Sequence, residues 1–423
     1  MFNTLDRIFK TDVRYVLNGG FWLLLGQGIA FIASFGLLWA FTNLLPKEVY
    51  GQYRFITTAA VLLSIATLPG LNTALLQSVA NGHTNLLGPL LKRKILWGLV
   101  GSVGALIGAS YYWWQADSTM ALLFLAIALF VPFYESFNIY QSYLMGQKQF
   151  RSNALLTAAL RISIVVGVVS AIALSSNIIV IVVAFLLSST VAHVLALYVA
   201  RILYPPVHSQ DTTELHTAAR YGYHLSAMSM FRWGAQQLDK IVLWYFAGPV
   251  QVATYAIAVA LPNELTSASG QVSNLALPKM STRRIDELRS NLLRKVGIFF
   301  IALLPLAGLY ALIAPYLFTW FFPQYIDTIW YTQIAALTIL VAPIGLFSQY
   351  FYATKHTKVL YITNFVEPAI LVALFAALIP TFGVIGAITA FLIKHLLTFL
   401  LYLYFFTFDT RQWEDHHSLE ASV

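Results

Sequence analysis

Apolar stretches of about twenty residues recur from end to end of this chain, parted by short polar punctuation. Coiled into a helix, each is as long as a bilayer's hydrocarbon core is thick. Inside lipid a backbone has to satisfy its own N–H and C=O groups, so a chain written this way folds as a bundle of membrane-spanning helices. Twelve spans are read, at approximately 17–42, 53–79, 95–114, 119–143, 153–175, 178–202, 221–247, 252–276, 296–322, 328–351, 359–380 and 383–407. With 59% hydrophobic and only 10% charged residues among 423, the chain lies outside the composition of soluble domains. The predicted fold class is an all-α polytopic membrane protein. No connecting loop is long enough to hold a separate domain. The longest link, "YPPVHSQDTTELHTAA" from Tyr204 to Ala219, falls near the middle.

The basic residues orient the bundle, because Lys and Arg of short loops are retained on the cytoplasmic side. With both termini inside, nineteen of the 25 bases, among them Lys92, Arg93 and Lys94, fall in cytoplasmic segments, two (Lys47 and Arg54) fall outside and four fall within spans. Ten acids lie inside, three outside and four within spans, so the net charge of +8 is a topological signal. It points to the inner leaflet of a membrane and gives no reason to expect nucleic acid. Residues 1–15 lack a short apolar core followed by a cleavage site, so no cleaved leader is expected and the first span serves as its own anchor. The absence of cysteine excludes disulfides, thiol nucleophiles and thiolate metal sites.

Two halves of similar texture flank the central link. "LLWAFTNLLPKEVYGQYRF" in the first is echoed by "IVLWYFAGPVQVATYAI" in the second, which aligns Tyr53 with Tyr255. Arg93-Lys94 likewise aligns with Arg294-Lys295, and "QSYLMGQKQFR" with "SQYFYATKHTK", setting Tyr143 against Tyr350. Six spans per half is an even number, so the halves share one orientation, the architecture of alternating-access transporters. The expected organisation is a six-helix lobe over 1–202, a cytoplasmic linker over 203–220, and a second six-helix lobe with a short cytoplasmic tail over 221–423.

Charges inside the spans carry the chemistry. Arg232, Gln236, Asp239 and Lys240 fall at i, i+4, i+7 and i+8 of span seven, on one face of an uninterrupted helix. Span eight offers Glu264, Ser267, Gln271 and Asn274, span five Asn153, Thr157 and Arg161, and span eleven Thr363, Asn364 and Glu367. Each ionised group near the bilayer centre costs roughly 2.5–3.5 kcal/mol on insertion scales, so these groups face a wet cavity or one another. In one reading they pair and merely join helices, as expected for Glu135 with Arg161 on adjacent spans. In the other the cations hold an anionic substrate while the acids exchange a coupling cation, as expected for Arg232, Asp239 and Lys240. Glu264, Glu367 and Lys394 fit both.

Prolines at 69, 132, 262, 343 and 368 can kink their spans, with Pro262 beside Glu264 the candidate hinge. His193 and His395 read as hydrogen-bonded core residues, and the tail "WEDHHSLE" as a solvated terminus. No metal site is expected. D-x-D, G-x-x-x-x-G-K-[ST] and H-E-x-x-H motifs are missing, so no catalysis is read.

"GGFWLLLGQGIAFIASFGLLWAFTNLLPKEVYGQYRF", then "PGLNTALLQSVANG", and in the second half "LDKIVLWYFAGPVQVATYAIAVAL" resemble motifs of the polysaccharide-unit (O-antigen-type) flippases. These belong to the multidrug/oligosaccharidyl-lipid/polysaccharide (MOP) exporter superfamily, which also holds the MATE drug exporters. The resemblance implies a flippase of the bacterial inner membrane. Such a protein carries undecaprenyl-diphosphate-linked oligosaccharide units from the cytoplasmic to the periplasmic leaflet by alternating access, for O-antigen, capsule or exopolysaccharide.

It further implies that basic residues lining a central cavity attract the diphosphate and sugar acids. Arg161, Arg232, Lys240 and Lys394 hold the comparable places here, with Gln236 on the same stripe. Asp239, Glu264, Glu367 and Glu135 are then the ion-coupling candidates, for H+ or Na+, with no other cofactor. The expected partners are lipid-linked oligosaccharide, membrane lipid, a polysaccharide polymerase and a chain-length regulator.

One departure is that four buried acids cancel four buried bases. A MATE-like cation-coupled drug exporter is the nearest alternative, but it needs several acids in the first lobe, where only Glu135 is available. A major facilitator is opposed by the loop "ANGHTNLLGPLLKRK". A membrane polymerase or ligase would need a long outer loop bearing catalytic Arg or His.

Overall fold

The computed structural model describes residues 13–206, 212–280, 285–354 and 356–409, with side chains excepted at 13–27, 30, 212, 271–280, 285–290, 357, 360 and 409. Gln271, Asn274 and the "WEDHHSLE" tail therefore lie outside the described side chains. Among the described residues every regular element is helical and no strand occurs. The described residues pack into two compact units, divided between Trp233 and Gly234.

The first unit contains α1 (Val13–Leu44), α2 (Lys47–Ser64), α3 (Gly70–Ala80), α4 (Leu87–Trp114), α5 (Ser118–Tyr134), α6 (Ile139–Gly146), α7 (Phe150–Leu174), α8 (Ile178–Leu203) and most of α9 (Thr212–Ala235). The second contains α10 (Leu238–Met280), α11 (Ile285–Phe321), α12 (Ile329–Ala335), α13 (Ile344–Ala353) and α14 (Thr357–Tyr404).

Eight helical runs are long and apolar enough to cross a membrane. Two of these eight are hairpins. Lys240 Nζ sits 5.8 Å from the ring centre of Tyr255, fifteen residues away, whereas a straight helix would part them by about 22 Å. The reversal is at Gly248 (φ 78°, ψ −179°). Lys394 likewise touches Glu367 because the chain turns back at Gly383 (φ 56°, ψ −126°). Both turns use positive φ, which an L side chain enters only with strain. Counting each hairpin as two spans and adding the bent pair Lys47–Thr67 with Gly70–Ala80, which turns by 52°, together with α1, gives the twelve expected.

Breaks inside spans are held by neighbouring side chains. Pro132 in α5 has no N–H for the carbonyl of Ala128, and Ser102 Oγ on α4 donates to that oxygen at 2.7 Å. Pro315 in α11 frees Ala311 in the same way, and Gln333 Nε2 donates to it at 2.9 Å. Pro262, the candidate hinge, leaves α10 helical; the non-helical residue in that run is Gly248.

Close packing in the first unit rests on glycines of α4. A Cβ on Gly98 would stand 2.7 Å from Pro132 Cα, and one on Gly101 would stand 2.5 Å from Leu63 O. Small residues thus let the α4 backbone approach the α5 break directly. The repeated tyrosines occupy equivalent cores. Tyr53 packs on Phe41 at 4.2 Å between ring centres, Tyr255 joins the second unit's core, and Tyr143 and Tyr350 are both fully buried.

The division between units falls later than the expected linker. Gly70 N–H donates to Ser226 Oγ at 3.0 Å, and Ser226 Oγ donates to Gly222 O at 2.8 Å. These bonds pin α9 to α3, so residues up to 233 pack with the first unit.

Candidate functional site

Pro132 ends α5 early, and residues 135–138 form a turn before α6 resumes. Glu135 and Asn138 are thereby placed on unwound backbone inside a single span, Ser118–Gly146. Opposite them stand Arg161, 11 residues into α7, and His193, 10 residues before the end of α8. At 1.5 Å per residue both lie about 15 Å from the helix ends, near the middle of their spans.

These residues line a cavity of about 180 Å³, with Ala33, Ser34 and Leu37 of α1, Tyr134, Gln141, Thr157 and Phe185 completing the wall. His193 Nδ1 donates to the carbonyl of Ser189 at 2.7 Å. The imidazole is hence a hydrogen-bonded wall residue, with Nε2 left as an acceptor.

The expected Glu135–Arg161 ion pair does not form, although both side chains face the same cavity. Glu135 Oε2 instead accepts a long bond from Asn138 Nδ2 at 3.4 Å. Its carboxylate sits where α5 ends, at the negative end of that helix's dipole, and needs a cation nearby. Two act on it electrostatically, Lys94 of α4 and Arg161.

Lys94 is only 1% exposed. Expected in a cytoplasmic segment, it lies within α4, in the run from Thr84 to Trp114. Successive residues of a helix are turned by about 100°. Of the run Lys92-Arg93-Lys94, the first is exposed, the second half-buried with Nη1 donating to Tyr223 OH at 3.2 Å, and the third faces inward.

In the second unit two acids are held by tethered lysines. Asp239 and Lys240 pair at 3.1 Å, and Lys394 Nζ meets Glu367 Oε1 at 2.7 Å. Lys394 also donates to His395 Nε2 at 3.0 Å, while His395 Nδ1 donates to Phe391 O at 2.8 Å. Glu264 is half-buried and takes part in no ion pair among the described residues. Thr363 Oγ1 of span eleven donates to Val359 O of its own helix at 3.0 Å and also meets the Tyr402 hydroxyl.

The predicted stripe of span seven does not lie on one uninterrupted helix. α9 ends at Ala235, Gln236 and Gln237 form a turn, and α10 starts at Leu238. Gly234 weakens the helix at this point. Asp239 favours a new start, since an acid stabilises a helix's first turn and its Oδ1 here accepts from Lys240 N at 2.7 Å. Arg232 is therefore half-buried on the last turn of α9 with the first unit, while Gln236 is exposed in the turn and Asp239 and Lys240 belong to the second.

Among the described residues no cluster of three or more His, Cys, Asp or Glu has the arrangement of a metal site. The mid-depth cavity can exchange hydrogen bonds with a hydroxylated ligand and oppose an anion with Arg161.

Residues 16–273 match the family described as "Polysaccharide biosynthesis protein". The fold is similar to that of lipid II flippase MurJ in an inward closed conformation, with a TM-score of 0.65 and 15% identity over 92% of this chain and 87% of that one. It is also similar to a multidrug resistance MATE family transporter of the MOP superfamily in its inward-facing conformation, with a TM-score of 0.58 and 16% identity over 89% and 94%. A third similarity is to a MOP superfamily transporter from Pyrococcus furiosus whose binding pocket is described as reversed in polarity, with a TM-score of 0.55 and 14% identity over 93% and 95%. No protein of curated function matches the chain.

Proposed function

Since the chain belongs to the polysaccharide biosynthesis protein family of the MOP superfamily, we propose that it flips undecaprenyl-diphosphate-linked oligosaccharide repeat units by alternating access. The cargo moves from the cytoplasmic to the periplasmic leaflet of a bacterial inner membrane and feeds O-antigen, capsule or exopolysaccharide. Both termini are cytoplasmic, as the bias of nineteen inner bases against two outer ones favours.

The observation that carries this reading is the mid-depth cavity whose walls mix Arg161, Glu135, Asn138 and Gln141 with aromatic rings. A headgroup of sugars and phosphates is too polar to cross the hydrocarbon unaided. A polar cavity at that depth lowers the barrier while the carrier's tail stays in lipid.

Coupling to H+ or Na+ is assigned to the acids without an ion partner among the described residues, Glu135 and Glu264. Asp239 and Glu367 are already neutralised by Lys240 and Lys394. With Asp239 and Glu367 tethered, the second unit offers fewer acids for organic cations, which disfavours a MATE-like drug exporter. No further cofactor is involved, and a polymerase and a chain-length regulator take up the product.

The test is flipping of a labelled undecaprenyl-diphosphate oligosaccharide by purified protein in proteoliposomes. Wild type is expected to flip, and Arg161→Gln and Arg232→Ala to slow flipping about tenfold each at unchanged melting temperature, a change of about 1.4 kcal/mol in barrier. Export of small organic cations with no lipid flipping would refute the reading.

A further inference from the structure

We propose that the cytoplasmic end of the first unit holds one anionic phospholipid of the inner leaflet, its phosphate between Arg201 and Lys92 and its chains along α8 and α4. The site lies outside the mid-depth cavity. It rests on the orientation of the bundle and not on the cargo.

Charge comes first. Among the described residues, this end of the unit carries Lys92, Arg93, Lys148, Arg151, Arg201 and Arg220 against one acid, Glu214, which faces His83 at 3.9 Å. Arg93 is committed to α9 through Tyr223, and Lys148 and Arg151 have partners of their own. Lys92 and Arg201 have no ion pair or side-chain hydrogen bond among the described residues.

Arg201 stands on the last turn of α8, where a cation offsets the helix dipole by proximity alone. That role does not account for its reach. Its Nη2 lies 3.9 Å from the place a Cβ on Gly88 would take, in the first turn of α4. This is the positive end of a second helix, its first turn holds no acid, and Leu86 ahead of it supplies no side-chain cap. Lys92 follows Gly88 by four residues, on the same face of α4. Two cations and a helix start thus meet without a counter-charge from the protein.

The polar groups around this corner are engaged with one another. Tyr143 OH donates to Tyr204 O at 2.6 Å and is bonded by Gln147, and Ser152 Oγ and Tyr204 OH share a hydrogen bond at 2.7 Å. Arg201 Nε is buried without an acceptor. A phosphate supplies what is missing, since its oxygens match the planar guanidinium fork and accept from an ammonium as well. There is room for it: beyond its own turn of helix, Gly88 has only the Arg201 guanidinium within 4 Å of its Cβ position.

Depth and apolar surface then select a lipid over a soluble anion. Arg201 lies two residues from the end of α8 and Lys92 five from the start of α4. At 1.5 Å per residue both are within about 8 Å of the helix ends, the depth of the headgroup layer. An exposed apolar stripe runs from each cation toward the bilayer centre, through Leu96, Leu99 and Val103 on α4 and through Tyr198, Val194 and Leu187 on α8. A soluble phosphate has no use for these stripes, whereas acyl chains below a bound phosphate lie along them.

The internal repeat supplies a control. The register that sets Arg93-Lys94 against Arg294-Lys295 sets Lys92 against Leu293, so the second unit has an apolar residue where the first has its clamp. Arg294 and Lys295 are nonetheless exposed cations. They report what general surface charge does by itself.

The experiment titrates delipidated full-length protein in detergent micelles with phosphatidylglycerol and phosphatidylcholine, counts bound lipid by native mass spectrometry and follows melting. One phosphatidylglycerol is expected to bind about tenfold more tightly than phosphatidylcholine. A cation near the membrane surface contributes about a factor of five in affinity, so Lys92→Gln should weaken phosphatidylglycerol about fivefold and Arg201→Gln at least as much. Gly88→Leu alters no charge and fills the approach, and should weaken it too. Arg294→Gln/Lys295→Gln should change nothing. Without lipid, Arg201→Gln should melt with the wild type.

Equal affinity for the two lipids overturns the proposal. So does a loss in Arg294→Gln/Lys295→Gln as large as in the site variants, which would reduce the effect to surface charge. Arg201→Gln that melts early without lipid and keeps its phosphatidylglycerol affinity would leave Arg201 a helix-end residue only. Displacement of phosphatidylglycerol by glycerol phosphate would give the corner to soluble phosphates, and displacement by less undecaprenyl diphosphate than phosphatidylglycerol would give it to the cargo's carrier; either sinks the phospholipid. If Arg201→Gln does not fold, Gly88→Leu decides. No flipping enters these measurements, so their failure leaves the proposed function standing.

Discussion

In the second unit Lys394 lies 2.7 Å from Glu367 and Lys240 lies 3.1 Å from Asp239. In the first unit Lys94, Glu135 and Arg161 share one field with no ion pair among them. A closed pair joins two helices and is spent on that task. The Lys394–Glu367 bond ties the two arms of the Gly383 hairpin, and Lys240 leans on Tyr255 across the Gly248 hairpin. An open triad keeps a guanidinium and a carboxylate available, and it occurs where a span is unwound and a cavity exists. The repeat that made the two units similar preserved their buried tyrosines and not their charges, so function is to be sought where the copies differ.

The largest test of that contrast is Lys394→Met, which leaves Glu367 without its cation. It is expected to destabilise the protein by about 3 kcal/mol in detergent unfolding, with Lys394→Met/Glu367→Met recovering most of the loss. A double variant as unstable as the single one would show that the pair does more than neutralise. Next in size, Lys94→Met should cost about 2 kcal/mol, whereas Lys295→Met stays within about 0.5 kcal/mol, as for most surface changes. Equal effects at the two positions would erase the difference between the units.

The smallest test concerns what the units share. Ser102→Ala and Gln333→Leu should each cost about 1 kcal/mol by stranding the carbonyls of Ala128 and Ala311. Ser102→Ala should become nearly neutral in a Pro132→Ala background, which gives Ala128 an N–H of its own.

The twelve spans were legible because lipid forces every backbone group into a helix, which makes length and hydropathy nearly sufficient. The breaks were less so. The turn at Gln236-Gln237 depends on Gly234 ending one helix while Asp239 starts another, a local contest that periodicity averages away. That turn puts Arg232 on one helix and Lys240 on the next.

Lys94 was misplaced because a run of three bases reads as a loop flank. The helical phase of that run, and an acid just past the end of α5, decide that one of the three points inward. The lysine partners of Asp239 and Glu367 were within reach of sequence reading as charge balance, but which acid takes which base depends on where the hairpins turn.

The bond from Ser102 to the carbonyl of Ala128 also bears on how such a protein can change. Because α4 supplies the donor that Pro132 withholds, the interruption at residues 135–138 is supported in part from outside the cavity. Asn138, Gln141 and Arg161 are thus free to be exchanged without dismantling the span. Descendants of one scaffold can therefore acquire different cargo preferences through a few wall substitutions, while the glycine and proline contacts that shape the opening pass on unaltered.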